Sequence, residues 1–403
     1  MVFHISVDKL KRPLQIVRWQ YLGLCLLVLV VLILHFSIIM QPNKPIFDEQ
    51  YYVAEARSII ANEGILHPEH PPLGKLFIVS GILLLGDSPL GWRFFSVIFG
   101  TICIVLFYFI CNKLNMPRDA SLLATFLFTF ENLGFIQASV AMLDVYTVTC
   151  VLLTFLLYLK GKYLASGICL GLSVLIKLTG ALAFLPIFLY WLFTERENWR
   201  GFLLLVLAAL ISLLIFMPLL DYAVSGQLLN PVEQVKLWLT EHAKITFASG
   251  HQSAASRPWD WLLFPQAIFY SFNPQYIAMI TPTVWILIVP AVLFMLFKAI
   301  RGSIASLFGL FWFVGTYLPW IIITIITDRV TFLFYFYPTL GAICIGVGLG
   351  LSQLLEMWKI KRQNKVGQTA VIAVSGYLLL HLAFFIILSP LSVPLIKWFL
   401  PLL

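Results

Sequence analysis

Long apolar runs separated by short polar segments dominate the chain. The first run, residues 22–40, contains one polar group of note, His35. Crossing the ~30 Å hydrocarbon core of a bilayer takes about 20 apolar residues, and a backbone in lipid must pair its polar groups within its own segment. The pattern therefore predicts about eleven membrane-spanning helices, roughly at 19–40, 92–111, 120–138, 141–159, 163–178, 179–194, 201–220, 281–298, 303–326, 331–352 and 370–389.

Basic residues concentrate in every second predicted loop along the chain. One set of short loops holds 16 of the 26 Lys and Arg residues, which indicates the cytoplasmic side and an inner N-terminus. The two long loops, 41–91 and 221–280, then face the outer side. Within the first of them, Leu73–Leu85 is apolar but too short to span, so we expect an interfacial or re-entrant helix.

This pattern predicts a single all-α membrane domain over residues 1–403. It would consist of an N-terminal module, 1–220, with the outer loop 41–91, then the second outer loop, 221–280, and the C-terminal helices, 281–403.

Composition excludes several classes of protein. Only 11% of the residues are charged and 61% are hydrophobic, whereas soluble domains carry about 25% charged residues. The net charge of +8 does not indicate nucleic-acid binding, because the basic residues form no continuous patch. The six cysteines lie in or beside apolar runs and include no CxxC pair, which argues against a disulfide framework or a zinc site. Charges concentrate at the outer helix ends, which argues against a transporter with a midplane site.

The segment after the first predicted helix carries two adjacent carboxylates, Asp48 and Glu49, flanked by Phe47, Tyr51 and Tyr52. A carboxylate near apolar, low-dielectric surroundings has a raised pKa. Such a group suits a general base for a hydroxyl nucleophile. An alternative interpretation is that Asp48 only caps a helix beginning at Glu49.

Two further features of the first outer loop could bind an anion. Residues 67–75 read His-Pro-Glu-His-Pro-Pro-Leu-Gly-Lys, which fits either an anion or metal site or a stiff surface turn. Arg93 stands between aromatic residues at a predicted helix end, where it could snorkel to lipid headgroups or hold a phosphate by a forked contact. Lys177, between two weakly separated spans, is more simply interpreted as a snorkelling side chain.

The motifs Phe47-Asp48-Glu49, His70-Pro71-Pro72-Leu73-Gly74-Lys75 and Trp92-Arg93, in this order and spacing, resemble the first outer loop of the protein O-mannosyltransferases, glycosyltransferase family 39. Stretches at 131–144, 256–261 and 328–338 also resemble that family, so the resemblance covers nearly the whole chain. It implies the GT-C membrane fold and a site on the outer face, in the plasma membrane if the source is prokaryotic.

The resemblance also implies an activity. Members transfer a mannosyl or similar residue from a polyprenyl- or dolichyl-phosphate sugar to a Ser or Thr hydroxyl of a protein, and a single displacement inverts the anomeric centre. Asp48 is then the implied catalytic base, and Glu49 helps to shape the acceptor site. The residues implied to bind or order the donor phosphate are Arg93, Arg329, His70, Lys75 and Asp144.

Some alternatives stay open at this point. Relatives that transfer aminoarabinose to a lipid share the start of this motif, so a lipid or glycan acceptor is an alternative to a protein. A transporter is a remote alternative. No cofactor is implied with certainty, and a divalent metal stays open. The expected partners are the lipid-linked donor, the acceptor and membrane lipids, with no nucleic acid.

Overall fold

The structure, a computed structural model, describes residues 8–249, 254–360 and 365–391. Lys361 and Arg362, in the last predicted basic loop, lie outside them. Within these ranges, six helices have more than 20 residues: α1 Asp8–Ile38, α4 Pro89–Lys113, α10 Trp199–Ser225, α15 Ile304–Thr327, α16 Leu340–Ile360 and α17 Lys365–Leu388. The shorter helices are α2 Glu49–Ile60, α3 Leu73–Leu85, α5 Arg118–Thr129, α6 Asn132–Ser139, α7 Leu143–Leu159, α8 Tyr163–Ile176, α9 Phe184–Tyr190, α11 Pro231–Lys244, α12 Asp260–Leu263, α13 Pro282–Trp285 and α14 Ile288–Ile300.

Short 3₁₀ and π segments complete several spans. The 3₁₀ helix Leu178–Ala183, α9 and the π-helix Trp191–Glu195 form one continuous apolar segment, and the 3₁₀ helix Leu333–Thr339 leads directly into α16. Within the described residues, seven segments are long and apolar enough to cross a membrane, or eight if the bent pair α6–α7 is one span. The predicted all-α membrane architecture is confirmed, but a count of eleven spans is not.

The predicted helix over 120–138 is broken into α5 and α6. The break has a physical cause at Glu131, whose buried carboxylate accepts a hydrogen bond from the Gly134 amide at 2.8 Å and caps α6. The same carboxylate accepts a bond from the Thr281 amide at 2.8 Å. After α6 the chain bends by 116° into α7. A buried capping carboxylate therefore sets the path of the chain in this part of the fold.

Small residues allow the helices to pack closely. Helix α8 lies against α10, and a Cβ built on Gly171 would stand only 1.9 Å from the Ser212 hydroxyl oxygen. In lipid, where apolar side chains gain little by leaving the bilayer, such close backbone approach is a principal source of helix association. A larger residue at Gly171 would force these two helices apart.

A β-hairpin, which the sequence pattern did not predict, lies in the second outer loop. Strands β1 Ala267–Phe272 and β2 Gln275–Met279 pair antiparallel, with an irregularity between Phe269 and Ser271. The side-chain amide of Asn132 donates to the Ile277 carbonyl at 2.6 Å, and the Tyr276 hydroxyl donates to the Gln41 carbonyl at 2.6 Å. The hairpin is therefore tied both to α6 and to the end of α1.

Candidate active site

Asp48 stands at the N-terminal end of α2, but its side chain makes no capping hydrogen bond. Asp48 thus occupies the N-cap position of a helix that begins at Glu49, as the alternative interpretation expected, but its carboxylate is not used for capping. The preceding residue, Phe47, has a left-handed φ of 50°, a conformation that is uncommon for a bulky side chain. Its ring stacks on Tyr270 of the hairpin with centroids 4.2 Å apart. This stacking holds an unfavourable backbone conformation immediately before Asp48, and such strain is typical of functional sites.

Asp48 lines a cavity of about 210 Å³, which we call the polar cavity. Four regions of the chain meet there: the first outer loop, Lys177 just before the 178–195 segment, Ile245 just after α11, and the stretch after α15. Its polar and aromatic lining residues are Asp48, Tyr51, Tyr52, His67, Glu69, His70, Lys177, Arg329, Phe332, Phe334 and Tyr335. Carboxylates and cations thus face one another across a space large enough for a small polar ligand.

The electrostatics of this cavity favour a general base. Burial raises the pKa of the Asp48 carboxyl from 3.8 to about 6; the nearby Lys177 opposes this rise and Asp144 adds to it. A carboxylate with a pKa near 6 is still ionised at neutral pH and is a stronger base than an ordinary aspartate. Asp48 can therefore accept a proton from a hydroxyl placed in the polar cavity.

Lys177 forms a buried ion pair with Asp144. The ammonium lies 2.8 Å and 2.9 Å from the two carboxylate oxygens, and both side chains are about 5% exposed. The rings of Phe334 and Tyr335 flank the ammonium at 5.2 Å and 5.3 Å. The pair keeps a positive charge at the wall of the cavity, where it can meet an anion.

Arg93 and Glu49 form a second, fully buried ion pair. The guanidinium donates to both Glu49 carboxylate oxygens at 2.8 Å and 2.7 Å. It also donates to the backbone carbonyls of Ile39, Gln41 and Pro42 at 3.0, 2.9 and 3.0 Å. Both side chains of the pair are 0% exposed.

This geometry does not support the predicted phosphate contact for Arg93. Its donors are taken by Glu49 and by the carbonyls at the end of α1, and none of its surface reaches the polar cavity. Glu49 likewise has no surface that could contact an acceptor, and it accepts further bonds from the Ile46 and Ala141 amides. The two residues instead fasten the segment that carries Asp48 to α4.

The ammonium group of Lys75 is also paired with groups of the first outer loop. Its ammonium lies 2.8 Å from a Glu55 carboxylate oxygen and also donates to the His67 carbonyl. The second Glu55 oxygen accepts bonds from the Leu66 and His67 amides at 2.9 Å and 2.7 Å. The structure therefore places Lys75 as an ordering residue for residues 66–75, while His70, from the same motif, lines the polar cavity.

A second space, of about 380 Å³, adjoins the polar cavity, and we call it the apolar groove. It is lined mainly by aliphatic and aromatic side chains from the 178–182 segment, from α11 and from α15. The residues that line both spaces are His70, Lys177, Arg329 and Tyr335. Two cationic side chains therefore stand where a polar compartment meets an apolar one.

The site shows no evident metal centre. Within the described ranges, no group of three or more His, Cys, Asp and Glu side chains could hold a metal ion. Arg257, in the second outer loop, lies outside the lining of the polar cavity. Its guanidinium is 3.3 Å from the Asp328 carboxylate and packs 4.4 Å over the Phe247 ring.

Sequence reasoning undervalued Lys177 and missed Tyr335. A signal for Lys177 was present, because ionisable residues next to apolar spans are functional candidates by default. Its partner Asp144, which was among the predicted site residues, lies 33 positions earlier in the chain. No local pattern links the two.

The matching family model covers residues 69–222 and is described as dolichyl-phosphate-mannose-protein mannosyltransferase. A curated polyprenol-phosphate-mannose–protein mannosyltransferase from Corynebacterium glutamicum is 23% identical, over 87% of this chain and 85% of its own length. The chain is similar to these mannosyltransferases over most of its length. The recognition of protein O-mannosyltransferases in the sequence is thereby confirmed.

Solved structures with a similar fold agree with the sequence comparison. The Saccharomyces cerevisiae Pmt1-Pmt2 complex bound to the sugar donor gives a TM-score of 0.72 at 11% identity, over 91% of this chain and 89% of that chain. ArnT from Cupriavidus metallidurans gives 0.57 at 17% identity, over 84% of this chain, which spans only 63% of ArnT. At these identities the likeness concerns the fold, and the predicted GT-C architecture is confirmed.

Proposed function

We propose that this protein transfers a mannosyl residue from a polyprenyl-phosphate donor to a Ser or Thr hydroxyl of a protein, on the outer face of the membrane. The similarity to curated mannosyltransferases supports the reaction class. One structural observation carries the proposal: Asp48 shares the polar cavity with Lys177 and Arg329, and that cavity continues into the apolar groove. A base, a phosphate site and a lipid site are thus contiguous.

In the proposed reaction, Asp48 accepts the proton of the acceptor hydroxyl while the hydroxyl oxygen attacks the anomeric carbon. The bond between that carbon and the phosphate oxygen breaks, and both of its electrons leave with the lipid phosphate. Lys177 and Arg329 stabilise the negative charge that develops on the leaving group. A single displacement of this kind inverts the anomeric centre.

The two compartments also explain how one molecule of donor would be held. The sugar and the phosphate need hydrogen-bonding groups and cations, which the polar cavity provides. The isoprenoid needs an apolar environment, which the groove between the 178–182 segment and α15 provides. The phosphate would then sit at the junction, beside the side chains that line both spaces.

The proposal is tested with purified full-length protein, radiolabelled polyprenyl-phosphate mannose and a mixture of Ser/Thr peptide and lipid acceptors. Label should enter peptide, and Asp48→Asn should lose about 10²- to 10⁴-fold in rate, the usual contribution of a general base. Asp87→Asn is the matched control, because Asp87 is a half-exposed acid of the same loop that pairs with Arg57.

Two outcomes would overturn parts of this proposal. Label found only in lipid would replace the protein acceptor by the lipid acceptor that the sequence left open. Wild-type turnover by Asp48→Asn, with Asp87→Asn equally active, would remove Asp48 from the role of base.

A further inference from the structure

The lining of the apolar groove is short compared with a membrane span. On α15 its lining runs from Trp320 to Thr327, which are seven residues apart. At 1.5 Å per residue this is about 10 Å of helix, about a third of the ~30 Å hydrocarbon core. The lining from Leu178–Leu182 is similarly short, and Leu239 and Ala243 of α11 also contribute to it. The groove therefore accepts only the beginning of a long chain.

The volume of the groove gives a second measure of how much lipid it holds. A cavity of about 150 Å³ holds benzene, a molecule of six carbons, which corresponds to about 25 Å³ per carbon. At that ratio the groove's volume of about 380 Å³ holds about fifteen carbons. An isoprene unit has five carbons, so the volume indicates about three units.

The remainder of a longer lipid would stay in the bilayer. Lipid tails are as apolar as aliphatic side chains, so transfer from bilayer to groove releases little hydrophobic free energy and selectivity must come from packing. Units beyond the groove keep the same environment in the free and bound states. They can add nothing to the affinity.

Resting on the proposed function, we infer that the protein recognises its lipid donor through the phosphate and only the first three isoprene units. The phosphate lies by Lys177 and Arg329, and the three units fill the groove between Leu178–Leu182 and α15. Polyprenyl carriers that differ in total length but share this proximal part are then equivalent ligands. The chain length of the natural carrier is not a specificity determinant.

The test measures binding of sugar-free polyprenyl monophosphates to the full-length protein in lipid nanodiscs. Dimethylallyl, geranyl, farnesyl, geranylgeranyl and undecaprenyl monophosphate, with one, two, three, four and eleven units, compete with a fluorescent farnesyl monophosphate labelled at its far end. Concentrations are expressed as mole fraction of bilayer lipid, so that partitioning into the membrane does not affect the comparison.

The midpoint of competition should fall at least about tenfold, or ~1.4 kcal/mol, from the dimethylallyl to the farnesyl compound. It should then stay constant to undecaprenyl. Ala181→Trp, which fills part of the groove, should weaken farnesyl and longer compounds to the level of geranyl and leave dimethylallyl unchanged. Ala373→Trp, at an exposed position on α17 away from the groove lining, should behave as the wild type.

A midpoint that keeps falling to undecaprenyl, or one that does not depend on length, overturns the inference, and these wild-type measurements suffice even if Ala181→Trp does not fold. Equal weakening of all five compounds by folded Ala181→Trp also overturns it. Because the monophosphates carry no sugar, the expected series in a protein that transfers no mannose would instead refute the proposed function.

Discussion

Replacing Arg93 by methionine should damage folding rather than donor binding. The substitution removes two charge-assisted bonds to Glu49 and four to backbone carbonyls in the segment that follows α1 and at its end. It leaves the Glu49 carboxylate buried at 0% exposure without its cation. Breaking one side of a buried ion pair costs ~3–5 kcal/mol, about two to three and a half orders of magnitude in the folding equilibrium, and native proteins are stable by only ~5–15 kcal/mol.

The assay is reversible unfolding by sodium dodecyl sulfate in mixed micelles, followed by tryptophan fluorescence, together with the donor KM of the folded fraction. Arg93→Met should unfold at a much lower detergent fraction, with a near-normal donor KM. Arg57→Met is the matched control, because Arg57 also pairs with a carboxylate, Asp87, but at 48% and 45% side-chain exposure. Exposed pairs contribute only ~0–1 kcal/mol.

The double variant Glu49→Leu/Arg93→Met sharpens the result. Removing both charges leaves no unpaired buried ion, so the double variant should be more stable than either single variant. The reasoning is refuted if Arg93→Met unfolds like the wild type while its donor KM rises, since Arg93 would then contact the lipid phosphate after all.

Two other perturbations address the base and the loop. Because the pKa of Asp48 is about 6, wild-type kcat/KM should fall about tenfold between about pH 7 and pH 5 as the base is protonated. Asp48→Asn should lose this dependence; a wild-type profile that stays flat to pH 5 would contradict the assignment. The folded protein binds the Asp48 proton more tightly than the unfolded chain does, so the free energy of unfolding falls as the pH rises through the pKa of about 6. Asp48→Asn should therefore be more stable than the wild type at about pH 7. Glu55→Gln leaves the Lys75 ammonium buried without a carboxylate, which should lower the free energy of unfolding by ~3–5 kcal/mol and speed limited proteolysis in residues 61–72. Glu63→Gln, at an exposed position of that segment, is the control and should be cleaved like the wild type. Equal cleavage rates for the two variants would show that the pair does not order the loop.

Local patterns predicted the elements that local physics determines. The short helix Leu73–Leu85 has the predicted bounds, because a proline pair precedes it and Gly86, with a φ of 86°, ends it. The position of Asp48 beyond the first span also followed from the sequence, because apolar length fixes where a membrane helix ends.

Features that depend on contacts between residues far apart in the sequence could not be predicted from local patterns. Arg93 and Glu49 are 44 residues apart, so a guanidinium that binds phosphate and one that holds a loop have the same local sequence. The break at Glu131 depends on a bond to Thr281, 150 positions later. The orientation of the helices in the membrane stays a prediction, as do the catalytic and binding roles of the individual residues.

The stacking of Phe47 on Tyr270 has a consequence for biosynthesis. The ring that steadies the residue before Asp48 comes from a strand more than two hundred positions later in the chain. During synthesis, the segment with Asp48 emerges from the ribosome well before that strand is made. A partly synthesised chain consequently has its carboxylate but not the support that aims it, and the site is completed only when the second outer loop arrives.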